Sequence, residues 1–236
     1  MNSNDRTTRR LLLCGVAAGP LFVAAFLIQG AVRPHYDPLR HPVSSLALGE
    51  SGWVQAVNFV VAGLLTVALA AGLRRALKAS PQPAATVWGP ILVGAWGVML
   101  ICAGVFTTDP VSGYPPGTPE RLDEYGSVHA ALHNLLSLVG FVALPAACVV
   151  FAVRSLRERE RGWAAYSIAG AVGFTGGIVL ATMAFGQDPA LVAYGGLFQR
   201  TAVTIAWAWL GLMALRLLMW RRGAPRSGAG RPRRSS

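Results

Sequence analysis

The stretch Ala130–Val153, AALHNLLSLVGFVALPAACVVFAV, runs for 24 residues without an acid, a lysine or an arginine. An α-helix rises about 1.5 Å per residue, so roughly 20 apolar residues cross the ~30 Å hydrocarbon core of a bilayer. The stretch is long enough, and it is continuously apolar rather than alternating. It therefore predicts a membrane-spanning helix and not a barrel strand. Five more stretches read the same way, at about 11–32, 53–73, 87–106, 163–185 and 201–220. Together the six occupy more than half of the 236 residues and leave no room for a separate water-facing domain. The expected fold is all-α, an integral membrane six-helix bundle over residues 11–220. A short cytoplasmic N-terminus (1–10) precedes it, and a disordered basic cytoplasmic tail (221–236) follows.

Composition points the same way. The chain is 53% hydrophobic and 13% charged, where a soluble domain carries about 25% charged residues. Its mean hydropathy is +0.47. The net charge is nevertheless +11, and its placement explains it. Of the 21 basic residues, all but Arg33, Arg40, Arg121, Arg200 and Arg216 fall before the first stretch, in the second and fourth connections, or after the last stretch. By the positive-inside rule those segments are cytoplasmic, both termini included, and the odd-numbered connections face outward. Arg216, one turn from the inner edge, is expected to snorkel to the cytoplasm. The basic excess thus reports orientation and not a nucleic-acid partner. The expected partners are the lipid bilayer and, for the tail, anionic lipid head groups. Twenty arginines against one lysine suggest a GC-rich bacterial genome, hence a bacterial plasma membrane. The arginine pair at Arg9-Arg10 reads as the positive flank of a first helix, and Cys14, Cys102 and Cys148 as small apolar residues inside spans.

The odd-numbered stretches end alike, on Asp37-Pro38, Asp109-Pro110 and Asp188-Pro189. The even ones begin alike, with Ser51 and Asn58 matching Ser127 and Asn134. Three helical hairpins are one reading. The other is that Asp-Pro is a common helix exit, because proline cannot continue the hydrogen-bonded ladder. Pro20 and Pro145 should kink their helices. Gly170, Gly173, Gly176 and Gly177 make a smooth face suited to close helix packing.

Polar chemistry gathers on the outward side, with all four histidines and seven of the ten acids. His129 and His133 lie four apart, on one face of a helix. Two such imidazoles can share a metal, with Asp109 as a third ligand and His41 as a fourth; this set would suit zinc. Ser44 could then orient a substrate and Arg200 clamp a phosphate or oxyanion. The bland reading is a pair of interface histidines bonded to loop carbonyls or to Asp109. For Arg200 it is a tie between helix ends, with Asp109 or Asp188 as counter-ion.

Several motifs resemble one family. They are Arg33-Pro34-x-Tyr36-x-Pro38-x-x-x-Pro42-Val43-Ser44-x-Leu46, Gly104-Val105-Phe106-x-Thr108-Asp109-Pro110, His129-x-x-x-His133 and Gln199-Arg200. In this order they resemble the prokaryotic "domain of unknown function 998" membrane proteins. The resemblance covers nearly all of residues 11–220. It implies a six-helix bundle with recurrent polar positions at Ser44, Asp109, His129, His133 and Arg200, and no established reaction. In that family the second histidine is often followed by Asp; here it is Asn134, which removes a carboxylate beside the candidate site. A looser similarity links the chain to membrane hydrolases of the alkaline-ceramidase and progestin-receptor-like superfamily, which group Ser, Asp and His around zinc. Span count and motif order differ there. Three functions follow as expectations. The favoured one is a structural or regulatory membrane subunit with a polar outward site. The alternatives are a metal-assisted hydrolase or transferase acting on an outer-leaflet lipid, and a small-solute binding or transport protein.

Overall fold

A proline inside a helix frees the carbonyl four residues before it, and the chain meets that problem three times, at Pro20, Pro90 and Pro145. At Pro90 the freed acceptor is the Thr86 carbonyl. Arg74 of the preceding helix donates to it from Nη1 at 2.9 Å. The helices run through all three prolines. The computed structural model of the chain describes residues 3–78, 82–121 and 126–223, and among these it contains six long α-helices and no strand. They are α1 (Ser3–Val32), α2 (Gly52–Ala76), α3 (Pro83–Val105), α4 (Val128–Arg157), α5 (Arg161–Phe185) and α6 (Gly195–Gly223). All six are long and apolar enough to cross a membrane. α1 begins well before the expected Leu11, because nothing between Ser3 and Arg10 breaks a helix. α6 begins earlier than expected, at Gly195, after a 3-10 turn at Val192–Tyr194. The basic tail beyond Gly223 lies outside the described residues.

Each helix packs on its neighbours in sequence, and α1 closes the ring against α6. Aromatic side chains fill the centre. Phe22 meets Phe26, Phe59 and Trp207, and Trp96 meets Phe141, Phe174 and Trp207, all with centroids between 5.3 and 6.4 Å. Leucine and valine lie bare on the outer faces of the helices, among them Leu135, Leu138 and Val142 on α4 and Val179 on α5. A ring with an apolar rim and a packed centre is what a bilayer-embedded bundle requires.

Glycine sets the seams. A Cβ on Gly63 would stand 2.6 Å from the Gly97 carbonyl, and one on Gly97 3.0 Å from the Gly63 carbonyl, so α2 and α3 touch backbone to backbone. Gly72 likewise meets α1 backbone at Leu12 and Gly19 α6 backbone at Trp207, while Gly15, Gly89 and Gly140 make room for the side chains of Leu69, Phe151 and Met99 on the neighbouring helices. On α5, Gly170, Gly173 and Gly177 face Trp209, Ile205 and Ala202 of α6, which is the helix packing expected; Gly176 faces open space. No glycine brings α4 against α5 in this way, and a cavity at each end of the bundle has walls on these two helices.

The connections α1–α2, α3–α4 and α5–α6 share one end of the bundle and are tied together there. Arg40 pairs with Glu120 at 2.5 Å, Gln187 donates to the Glu120 carbonyl at 2.9 Å, and the α6 amides of Gly196 and Leu197 donate to Arg40 and Leu39. Two of the three Asp-Pro corners match in detail. Asp37 Oδ1 accepts from the Leu39 amide and Asp188 Oδ1 from the Ala190 amide, each at 2.9 Å. Asp109 departs, for a reason that belongs to the site.

Candidate functional site

A cavity of about 490 Å³ opens at this end between α4 and α5. On α4 its wall is His133, Asn134, Ser137 and Phe141. His133, Ser137 and Phe141 follow at steps of four, which place them on one stripe of the helix. α5 contributes Ile178, Thr182 and Phe185, and the connections and α6 contribute Ser44, Thr108, Asp109, Arg121 and Gln199. Five of these residues, Ser44, His133, Ser137, Phe141 and Gln199, also line a recess of about 50 Å³ that reaches Trp96 at the bundle centre.

His133 is only 6% exposed. α3 ends at Val105, and the carbonyl of its C-cap residue, Phe106, has no helical partner. The His133 ring supplies one: Nδ1 lies 2.7 Å from that oxygen. His129, one turn earlier, is exposed and sets its ring edge-on to the Phe106 side chain at 5.6 Å. Both histidines therefore serve Phe106, one its carbonyl and the other its ring.

Asp109 closes the start of α4. Its Oδ2 accepts from the amides of Gly126 (2.8 Å) and Ser127 (3.2 Å), and its Oδ1 accepts from the Ser127 hydroxyl (2.8 Å). Ser127 is the N-cap, and its Oγ accepts in turn from the Ala130 amide at 3.0 Å. A carboxylate is well placed there, beside orphan amides at the positive end of a helix. This is why Asp109 leaves the Asx turn that Asp37 and Asp188 adopt.

His41 is buried in the first connection. Its Nδ1 accepts from the Asp37 amide at 2.9 Å, and its ring lies 5.3 Å from Tyr36 and 5.1 Å from Tyr114. Burial lowers its pKa, and Arg40 and Arg200 add to that, while Asp37 and the Ser112 backbone oppose it. Tyr36 is pushed up to about 12, chiefly by burial.

Arg200 holds this connection on α6. Nη1 donates to the carbonyls of Pro38 (2.5 Å), His41 (3.0 Å) and Gly196 (3.1 Å), and Nη2 to the Tyr36 hydroxyl. Tyr36 passes its own proton on to the Pro42 carbonyl at 2.8 Å. The expected carboxylate partner for Arg200, Asp109 or Asp188, is replaced by carbonyls, because the first connection folds back over the α6 N-terminus and occupies the guanidinium. The backbones close so tightly that a Cβ on Gly196 would meet the His41 carbonyl at 2.5 Å.

The four expected metal ligands, His41, His129, His133 and Asp109, are thus spread over separate tasks. Among the described residues no three His, Cys, Asp or Glu side chains form a group that could hold a metal. Of the expected site residues, the cavity collects Ser44, Asp109 and His133. Ser137, Asn134, Thr182 and Gln199 were not singled out from sequence as lining; the four-residue step from His133 was the signal for Ser137.

At the opposite end, Arg216 does not simply reach for water. It pairs with Glu160 and stacks on Trp163 at 5.0 Å.

No curated protein and no solved structure matches the chain significantly. A family model does match, over residues 16–216, which takes in most of every helix and all of the cavity wall. Its description is "Protein of unknown function (DUF998)", and the chain belongs to that family.

Proposed function

We propose that this protein binds a small amphipathic molecule drawn from the membrane, in the cavity between α4 and α5. The carrying observation is the cavity itself. Its volume of about 490 Å³ is within the usual ~300–1,000 Å³ of ligand sites. Its wall mixes hydroxyls, amides and a buried imidazole with the apolar Phe141, Ile178 and Phe185. Its lips on α4 and α5 are flanked by exposed Leu138, Val142, Val179 and Met183, which would touch lipid chains. His133 lies five residues inside α4, roughly 7.5 Å below its start, so a head group would reach it from the bilayer interface.

The positive-inside rule supports placing the basic end in the cytoplasm and the cavity at the outer leaflet of a bacterial plasma membrane. The structural or regulatory reading draws support from Arg200, Asp109 and His41, whose bonds hold connections in place. It leaves the cavity without a use. The hydrolase reading has less support, since its ligands serve other ends.

The test is extraction of the protein from its membrane in styrene–maleic acid particles, followed by mass spectrometry of the retained molecules. One class of amphiphile should be enriched over bulk lipid, and Ser137→Leu, which fills the cavity, should lose it at unchanged melting temperature. Identical profiles for the two proteins would refute the proposal.

A further inference from the structure

The cavity wall also specifies a head group, an inference that rests on the binding reading above. Three lining side chains have their hydrogen-bonding directions set by backbone partners. The Phe106 carbonyl can only accept, so His133 carries its proton on Nδ1 and presents Nε2 as an acceptor. The Ala130 carbonyl takes Asn134 Nδ2 at 3.0 Å, which leaves Oδ1 as an acceptor. The Val43 amide can only donate and takes Gln199 Oε1 at 2.7 Å, which leaves the Nε2 donors. Ser44 and Ser137 can turn either way. The wall holds one charge of each sign, Asp109 and Arg121. In the recess behind, Trp96 is 1% exposed and its indole N–H has no partner.

A fully ionised phosphate ester brings acceptors alone. It would set lone pairs against His133 Nε2 and Asn134 Oδ1 and leave both unpaired in a buried site, the arrangement that binding sites discriminate against most strongly. A hydroxyl donates and accepts. Two or more neighbouring hydroxyls answer the two acceptors and the Gln199 amide together. We propose that the cavity takes a neutral lipid with a hydroxyl-bearing head of the glycerol or sugar class, in preference to phosphate-bearing lipids.

The experiment titrates monoolein and oleyl phosphate, which each carry a single monounsaturated chain of the same length and of which only monoolein bears free carbon-bound hydroxyls, into the full-length protein in phosphatidylcholine nanodiscs, with adducts read by native mass spectrometry. Monoolein should bind at least tenfold more tightly, Ser137→Leu should abolish its binding, and excess glycerol should not displace it. Ile178→Trp repeats the blockade from α5 in case Ser137→Leu fails to fold. Equal affinities, or a preference for the phosphate, with binding still lost on blockade, overturn the head-group assignment and leave the binding site standing. Displacement by glycerol assigns the site to a free polyol and overturns the lipid. Absence of blockade-sensitive binding by either probe overturns both readings.

Discussion

His41 shows how one buried side chain makes the end of the bundle sensitive to acid. The Asp37 amide points at Nδ1, so a proton added there would face a donor. With the folded pKa below the unfolded value of about 6.5, the unfolded chain binds more protons, and stability falls as pH drops through 6.5. Asp37 favours the charged ring, and Arg40 and Arg200 oppose it. The loss of melting temperature between pH 7 and pH 5 should therefore be smaller in His41→Gln than in the native protein. Equal losses would assign the acid sensitivity elsewhere. Arg200 and Asp109 make a second pair of expectations. Arg200→Met strips donors from three carbonyls and the Tyr36 hydroxyl. It should cost about 3 kcal/mol or more in unfolding titrations. Arg200→Lys should restore only part of that, since an ammonium lacks the planar fork. Asp109→Ala removes the acceptor for two amides and a hydroxyl and should cost about 2 kcal/mol. A variant that lost ligand binding at native stability would instead make Asp109 a binding residue.

At the scale of elements, the seams differ in kind. Between α2 and α3, where Gly63 and Gly97 meet backbone to backbone, Gly63→Ala forces the helices apart and should destabilise by about 1–3 kcal/mol. On α5, Gly176 meets nothing within 4 Å, and Gly176→Ala should be neutral or stabilising by up to about 1 kcal/mol, through helix propensity alone. The two measurements made side by side separate packing from propensity. The glycine spacing on α5 was legible in the sequence as a packing face, and three of its four members do pack on α6. That Gly176 would be the exception was not, because the outcome depends on what α6 places opposite. The cavity is the converse case. α4 and α5 are joined by a short connection and must be neighbours, and a chamber at each end of the bundle has walls on both of them.

The molecule as a whole is a ring of six helices with a basic end and a histidine-bearing end. Positive-inside orientation leads to a direct measurement in a variant lacking Cys14, Cys102 and Cys148. Glu50→Cys should react with a membrane-impermeant thiol reagent added outside intact cells, and Arg157→Cys only after the membrane is opened. The reverse pattern would put the cavity in the inner leaflet. What the sequence by itself determined is the class of fold and where its elements lie. Membrane-spanning helices announce themselves through length and continuous hydropathy, which are local properties, and the family motifs are local too. The candidate ligands were also local in pattern, His129 and His133 one turn apart and Asp109 at a helix exit. Their roles were not local. His133 turned to the carbonyl of Phe106, 27 residues away. Asp109 turned to amides 17 and 18 residues away, and Arg200 to carbonyls about 160 residues away. A side chain with two or more hydrogen-bonding directions commits them according to which backbone ends the tertiary fold brings beside it. Only the packed structure decides that, and it brings two of the four candidate ligands, Asp109 and His133, into the wall of a cavity.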